Sequence, residues 1–152
     1  MKAKSGFYSG GCSCGRVRFA VSDVLYVLAC HCDACKKRTG SAFGLSAVVE
    51  QSKVGDFQGT TTTYVRTAES GKPVHYEFCP FCGTTVRWRI QAVPERQIFA
   101  AGAFDDPRAF QAAGEMYVDR ALSWARLGCD LVRSGEPDHE FRRALIAKNE
   151  SM

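Results

Sequence analysis

Short runs in which hydrophobic and polar positions alternate are the main pattern along this chain. Val17, Phe19 and Val21 sit at every second position, which is typical of a strand with one buried face. Similar runs predict further strands over residues 26–30, 43–49, 60–66, 74–78, 84–90 and 97–103, with a hairpin turn at 69–73 and turn residues at Gly55, Asp56 and Gly59. The pattern predicts a mainly β fold.

Helical patterns are few and short. One turn is predicted over residues 33–38, and a second short helix over 106–112, with Asp106 as its cap and Pro107 at its first position. The C-terminal stretch from Asp138 has helical spacing, so it either docks on the sheet or frays at the end of the chain. The apolar residues with this spacing are Phe141, Leu145 and Ile146.

Length and composition indicate one globular domain over residues 1–152. A chain of 152 residues with 45% hydrophobic and 24% charged residues can bury roughly 70% of its unfolded surface. The longest apolar stretch, residues 26–29, is far shorter than the ~20 residues of a membrane helix. We therefore expect a cytoplasmic protein without a membrane partner, in which clustered cysteines bind metal rather than form disulfides.

Seven of the eight cysteines fall into three tight clusters, and these are the strongest chemical signal in the chain. Structural zinc sites use four protein ligands, whereas catalytic sites keep one position open. Two pairs make four ligands and the remaining triplet makes three, so the sequence predicts one closed and one open zinc site. The pairs are Cys12 with Cys14 and Cys79 with Cys82, and the triplet is Cys30, Cys32 and Cys35.

The closed site has the turn residues that a metal knuckle needs. Cys14 is followed by Gly15 and Cys82 by Gly83, and glycine accepts the positive φ common in such turns. A redox or disulfide role for the pairs is the alternative, but the βαβ context of thioredoxin-type motifs is absent. A shared zinc that connects two distant hairpins is favoured.

The open site follows from strand geometry. Alternation at the end of a strand puts Cys30 and Cys32 on one face, and the next turn brings Cys35 back toward them. His31 then points the other way, which favours a packing or hydrogen-bonding role over a ligand or acid–base role. Cys129 is a possible fourth ligand, but it lies among apolar residues, and a small buried hydrophobe is favoured.

Charge indicates what an open three-cysteine zinc does. Three thiolates on Zn²⁺ leave a net charge of −1, so such a site is suited to holding an incoming thiolate rather than to making hydroxide. Seven thiolates on two zinc ions also lower the formal net charge of +4 by three, to +1. With one short basic run at 36–38, a nucleic-acid partner is disfavoured.

The chain resembles the glutathione-dependent formaldehyde-activating enzymes, a family related to centromere protein V. The resemblance rests on residues 10–19, 30–43 and 78–83, which contain the three cysteine clusters, and on residues 116–121 with Trp124, similar to the closing strand of the family. It implies a β-tent fold of short antiparallel sheets with few short helices. The core would span about 7–125, followed by a short helix or tail at 126–152.

The resemblance also implies two zinc ions per chain: a structural zinc on Cys12, Cys14, Cys79 and Cys82, and a catalytic zinc on Cys30, Cys32 and Cys35. The implied activity is that of a carbon–sulfur lyase that joins glutathione to formaldehyde, giving S-hydroxymethylglutathione. Glu115 stands where family members often carry a histidine. Five basic residues are candidates to orient glutathione: Lys36, Lys37, Arg38, Arg87 and Arg89.

Three functional hypotheses follow. The first is an enzyme that acts on glutathione or another small thiol together with a small aldehyde. The second is a non-catalytic zinc-binding interaction module, and the third is a thiol redox sensor. The sequence leaves the oligomeric state open.

Overall fold

The computed structural model describes residues 6–152, which form two β-sheets and two α-helices. Helix α1 spans Asp33–Thr39 and helix α2 spans His139–Ser151. The strands are β1 Tyr8–Gly11, β2 Arg18–Val21, β3 Tyr26–Cys30, β4 Gly44–Glu50, β5 Val54–Gln58, β6 Thr62–Thr67, β7 Pro73–Phe78, β8 Thr85–Ile90, β9 Arg96–Ala100, β10 Ala112–Met116 and β11 Leu131–Arg133.

The strands are divided between a small sheet and a large one. The small sheet has the order β1-β2-β5, and the large sheet has the order β11-β10-β3-β4-β9-β8-β7-β6. All pairs are antiparallel except β3 with β10 and β10 with β11, which are parallel. The predicted mainly β fold of short sheets with few helices is confirmed, and the two parallel pairs are an addition to the expected antiparallel pattern.

Most of the predicted strands are present within one or two residues of their predicted bounds. The predicted hairpin is also present, because β6 pairs with β7 across a turn in which Ala68 N–H donates to the Lys72 carbonyl. The one-turn helix after the cysteine triplet is α1, which ends at Gly40 with a φ of 63°. These elements depend on local patterns, which explains why the sequence predicts them.

Three local predictions were wrong. Gly55 and Asp56 are not turn residues but lie inside β5, which pairs with β2 around an irregularity in register. The strand predicted over 97–103 ends at Ala100 and continues as a 3₁₀ turn. The helix predicted over 106–112 is a 3₁₀ turn over Pro107–Ala109, because the Asp106 carboxylate accepts from Arg108 instead of capping the helix, and Ala112 already begins β10.

The strand predicted from resemblance at 116–121 was also misplaced. Strand β10 ends at Met116, and Tyr117 turns the chain into a 3₁₀ turn over Val118–Arg120. Tyr117 has a φ of 56°, in the left-handed region that costs a non-glycine residue about 1–2 kcal/mol. The chain therefore leaves the sheet directly beside the end of β3, where the cysteine triplet begins.

Hydrophobic cores cover both faces of the large sheet. Alternate residues of β3 point to opposite faces, so Val27 packs into one core and Leu28 into the other. On the first face the Phe19 ring lies 4.5 Å from Phe99 and 5.0 Å from Phe104, centroid to centroid. The second face is built from β3, β4, β7, β8, β9 and β10, and it is partly covered by α2.

The C-terminal helix docks on the sheet rather than fraying. Asp138 caps α2 by accepting a hydrogen bond of 2.8 Å from the Phe141 N–H. Leu145 is fully buried, and Asn149 donates to the Val24 carbonyl. Of the helices within residues 6–152, none is long and apolar enough to cross a membrane.

Candidate functional site

The fold brings the seven clustered cysteines into two groups that could each hold a metal ion. In each group the sulfur atoms all lie within 4.8 Å of one another. The first group is Cys12, Cys14, Cys79 and Cys82, and the second is Cys30, Cys32 and Cys35. The grouping matches the ligand sets predicted from spacing and resemblance.

The four-cysteine group has the dimensions of a tetrahedral zinc site. The Sγ atoms of Cys12 and Cys14 are 3.5 Å apart, and those of Cys14 and Cys79 are 3.7 Å apart. A zinc–sulfur bond of about 2.3 Å requires sulfurs about 3.8 Å apart in a regular tetrahedron. The donor set and its spacing therefore fit zinc.

Two tight turns hold this group, as the glycines predict. Gly15 has a φ of 78° and Gly83 a φ of 74°. The Gly15 N–H donates to the Cys12 carbonyl and the Gly83 N–H to the Cys79 carbonyl. The Val17 N–H donates to Cys12 Sγ over 3.2 Å, and such a donor stabilises a metal-bound thiolate.

The four-cysteine group also joins the two sheets. Cys12 and Cys14 lie in the turn between β1 and β2 of the small sheet, and Cys79 and Cys82 lie in the turn between β7 and β8 of the large sheet. The two turns are linked directly as well, because the Ser13 N–H donates to Thr84 Oγ1 over 3.1 Å. A metal here would connect segments that are far apart in the chain.

The three-cysteine group is assembled where β3 meets α1. Cys30 is the last residue of β3, Cys32 is the N-cap of α1, and Cys35 lies in its first turn. The Cys35 N–H donates to Cys32 Sγ over 3.4 Å. All three are buried, with exposed fractions of 2%, 8% and 6%. This arrangement confirms the predicted convergence of the three side chains.

The electrostatics of the triplet indicate that it needs a cation. The interaction with Cys32 favours the protonated Cys30 thiol as hydrogen-bond donor and raises its pKa, and the same contact lowers the pKa of Cys32. Three thiolates this close repel one another, so they can ionise together only beside positive charge. Part of that charge comes from Arg38, whose guanidinium favours ionisation of Cys35. The donor set fits zinc with one position left for another ligand.

Arg38 is positioned by aromatic side chains rather than by hydrogen bonds. Its Cζ lies 4.4 Å from the Trp88 ring centroid and 5.5 Å from that of Tyr76. Its Nε and one terminal nitrogen are buried and have no hydrogen-bond partner among the described residues. A guanidinium in this environment is stabilised by the ring faces and by nearby negative charge.

His31 points away from the triplet and makes a buried hydrogen bond, as predicted. Its Nε2 lies 2.7 Å from Glu115 Oε2, and both side chains are fully buried. Glu115 also accepts from Arg126 Nε at 3.1 Å and from the backbone N–H groups of Leu127 and Cys129. The buried carboxylate of Glu115 thus holds His31, which lies between Cys30 and Cys32 in the chain.

The pKa of Glu115 is held at about 2 by this network. Burial raises the pKa, but the hydrogen bonds from Arg126, Leu127, His31 and Cys129 lower it by more. The carboxylate therefore stays ionised at neutral pH although no solvent reaches it.

Cys129 lies outside both cysteine groups of the described chain. Its thiol donates to the Ala112 carbonyl over 3.6 Å. The residue was predicted to be a small buried hydrophobe, but it is only half-buried. It is held in place by the Glu115 network and not by a metal site.

A cavity of about 180 Å³ opens beside the triplet. Its walls come from the second face of the large sheet, from Tyr117, and from the segment that leads into α2. Tyr117 belongs to the same buried cluster as the three cysteines. Because the buried triplet lies at this cavity, a ligand in it could place an atom next to the three sulfurs.

The arginines of this cavity are not those that the sequence suggested. Lys36, Lys37, Arg38, Arg87 and Arg89 do not line it. Arg87 instead pairs with Glu77, and Lys36 donates to the Arg120 carbonyl. The arginines that line the cavity are Arg66, Arg120 and Arg142.

Sequence reasoning missed these arginines, the role of Glu115, and Tyr117. The sequence drew attention to Glu115 because the resemblance implied a histidine at this position. The residues that bond to Glu115 lie in loops, which no periodicity predicts. Arg66 and Arg142 lie in other elements, far from the triplet in the chain. Nothing local in the sequence relates them to the cysteines.

A model of the glutathione-dependent formaldehyde-activating enzyme family matches residues 7–120 of the chain. The chain belongs to this family. The match contains both cysteine groups and ends before Arg126 and the whole of α2. The family is named for the activation of formaldehyde with glutathione, which is consistent with clustered thiols that could hold zinc.

A crystal structure of a Rhodobacter sphaeroides protein is also similar to the chain. The TM-score is 0.53 and the sequence identity is 22%, over 66% of this chain and 92% of the other. At this identity the similarity concerns the fold alone. It indicates that the two chains share a β fold and that this chain has additional residues.

Proposed function

We propose that the chain is a zinc-dependent carbon–sulfur lyase that adds a small thiol, such as glutathione, reversibly to a small aldehyde. The observation that carries the proposal is the buried triplet of Cys30, Cys32 and Cys35, which has no fourth cysteine, histidine or carboxylate ligand among residues 6–152 and faces a cavity. Cys12, Cys14, Cys79 and Cys82 would hold a second, structural zinc.

The reaction itself is an addition without a change of oxidation state. The thiol sulfur forms a bond to the aldehyde carbon, the C=O π bond breaks, and the thiol proton ends on the former carbonyl oxygen. With glutathione and formaldehyde the product is S-hydroxymethylglutathione. A zinc ion on the triplet would supply a position for the substrate sulfur and lower its pKa.

The protein's own contribution is positioning and exclusion of water. Cys32 is held by the α1 backbone and Cys30 by β3, so the ligands are attached to rigid elements. The hydrogen bond between His31 and Glu115 fixes the backbone between Cys30 and Cys32. Tyr117 is buried in the same cluster as the triplet and would limit the contact of the three sulfurs with water.

A role as a redox sensor is less well supported. Sensor thiols are usually accessible to solvent, whereas the three cysteines of the triplet are buried. A non-catalytic interaction module remains as an outcome of the experiment below. We also keep a cytoplasmic location as a prediction, because clustered reduced thiols are typical of that compartment.

The experiment measures the exchange rate between glutathione, formaldehyde and their adduct, with and without the zinc-loaded protein. Because the addition also proceeds unaided, only a rate above the background counts. We expect acceleration by the wild type, none by Cys32→Ser, and full acceleration by Cys129→Ser, a matched change outside both groups. Equal rates with wild type and Cys32→Ser, or no acceleration by the wild type, would exclude the proposed activity.

A further inference from the structure

The cavity beside the triplet has apolar walls. One of its surfaces is the second hydrophobic face of the large sheet, where aromatic and branched side chains meet. The Trp88 ring is 4% exposed and the Tyr76 ring lies 5.8 Å from it. The apolar and aromatic residues of this wall include Tyr26, Leu28, Val48, Tyr76, Trp88 and Ile98. Such a surface favours an apolar ligand group.

The charged residues of the cavity balance one another. Three arginines and three acidic residues line it, so they contribute no net charge. Arg120 pairs with Glu69, and Arg66 donates to Tyr76 Oη over 3.2 Å. The charged lining residues are Arg66, Arg120, Arg142, Asp33, Glu69 and Glu136. Glutathione carries two carboxylates and one ammonium, and this lining provides no excess of positive charge to attract it.

One wall of the cavity comes from outside the family match. Glu136, Pro137 and Arg142 line the cavity, whereas the family model ends at residue 120. This wall is held by α2, whose Leu145 is fully buried against the sheet. The shape of the cavity therefore depends on residues that the family pattern does not specify.

We propose that the triplet of this chain takes an uncharged thiol with an apolar substituent, aromatic or branched aliphatic, and that this substituent fills the cavity. The proposal rests on the function proposed above, and it narrows the thiol. The sulfur of the incoming thiol is the atom suited to bind at the triplet. The substituent on that sulfur then lies in the cavity, among Leu28, Tyr76 and Trp88. Burying a phenyl-sized group there releases water from apolar surface and stabilises the complex.

The test compares three thiols on the protein loaded with Co²⁺, whose absorption spectrum changes when a thiolate joins three cysteine sulfurs. The probes are benzyl mercaptan, glutathione and 2-mercaptoethanol, the last being uncharged but too small to fill the cavity. We expect benzyl mercaptan to bind about tenfold or more tightly than either of the others, a difference of about 1.4 kcal/mol or more.

A variant that fills the cavity separates the role of the walls from that of the sulfur site. Ala68 lines the cavity and is half-buried, so Ala68→Trp should weaken benzyl mercaptan binding about tenfold while 2-mercaptoethanol binds as before. Ala109→Trp, an exposed change that does not line the cavity, should leave both unchanged.

The outcomes distinguish this proposal from the function on which it rests. Equal or tighter binding of glutathione by the wild type overturns the apolar thiol but leaves the lyase proposal standing if formaldehyde exchange is accelerated. No spectral change with any of the three thiols overturns both. The comparison within the wild type decides the question even if Ala68→Trp does not fold.

Discussion

Glu115 shows how one buried carboxylate can organise the surroundings of a metal site. Its two oxygens accept hydrogen bonds from His31, from Arg126 and from two backbone N–H groups of a loop that has no regular structure there. The Glu115 side chain therefore holds the loop to β10 through three of these bonds. A fully buried charge is tolerated only with such complete pairing.

We expect Glu115→Gln to lower the free energy of unfolding by about 1–3 kcal/mol, because an amide cannot accept all of these bonds and leaves buried donors unsatisfied. The control is Asp106→Asn, which removes a carboxylate from an exposed pair with Arg108 and should change stability by less than about 1 kcal/mol. Urea unfolding measures both. If both variants lowered the free energy of unfolding equally, burial of the Glu115 network would not contribute to stability.

The depressed pKa of Glu115 also predicts a pH dependence. The folded state holds this pKa at about 2, below the ordinary value of 4.5, so its stabilising contribution is present above about pH 4.5 and is lost as pH falls toward 2. The difference in unfolding free energy between wild type and Glu115→Gln should therefore shrink over that range. A difference that stays constant down to about pH 2 would contradict this assignment.

The contact between α2 and β10 depends on a glycine in the strand. A Cβ at Gly114 would lie 2.6 Å from Leu145 Cδ2 and 2.8 Å from the Leu131 carbonyl oxygen. The backbone of β11 and the helix can therefore approach only because this position has no side chain. The run Ala112–Met116 has no clear alternation, so β10 could not be predicted from its pattern.

Gly114→Ala should destabilise the protein by about 1–3 kcal/mol, since the new methyl group collides with a strand backbone that cannot move aside. Gly102→Ala is the matched control, because a Cβ there meets no atom within 4 Å. Thermal unfolding compares the two. If Gly114→Ala were as stable as the control, the packing of α2 on β10 would be looser than the structure indicates.

The two cysteine groups have different relations to the molecule as a whole. The four-cysteine group connects the small sheet to the large one, whereas the triplet lies within one strand and the helix that follows it. Loss of a metal ion from the four-cysteine group would remove a connection between distant segments, which affects the stability of the entire fold. Loss of one from the triplet would leave the sheets and their cores in place.

We therefore expect Cys79→Ser and Cys32→Ser to behave differently. Both should lose one zinc per chain in native mass spectrometry, but only Cys79→Ser should destabilise the fold, by several kcal/mol. Serine at position 32 can still cap α1, since serine is among the best N-cap residues.

Cys129→Ser is the control for these variants and should keep both metal ions, because Cys129 belongs to neither group. Thermal unfolding is measured on all three variants. Global unfolding of Cys32→Ser would make the triplet a structural site and remove the basis for the proposed activity.

Local patterns were enough to predict the mainly β fold, most of the strands and the two cysteine groups. Ligands two or three residues apart converge through the geometry of a single turn, so Cys30, Cys32 and Cys35 meet whatever surrounds them. The glycines after Cys14 and Cys82 likewise specify turns that depend only on neighbouring residues. Counting four ligands for a closed zinc site related the two distant pairs to each other, and the resemblance implied the same pairing.

The cavity, its balanced charges and the partners of Glu115 were decided by tertiary structure alone. The cavity walls include residues from seven strands, from α1 and from the segment that leads into α2. Strand β10 joins β3 in parallel after more than eighty residues of intervening chain. Such contacts depend on which elements pack together, and packing is a property of the whole fold. The sequence thus specifies the metal-binding chemistry, while the packing of distant elements determines which molecule can reach it.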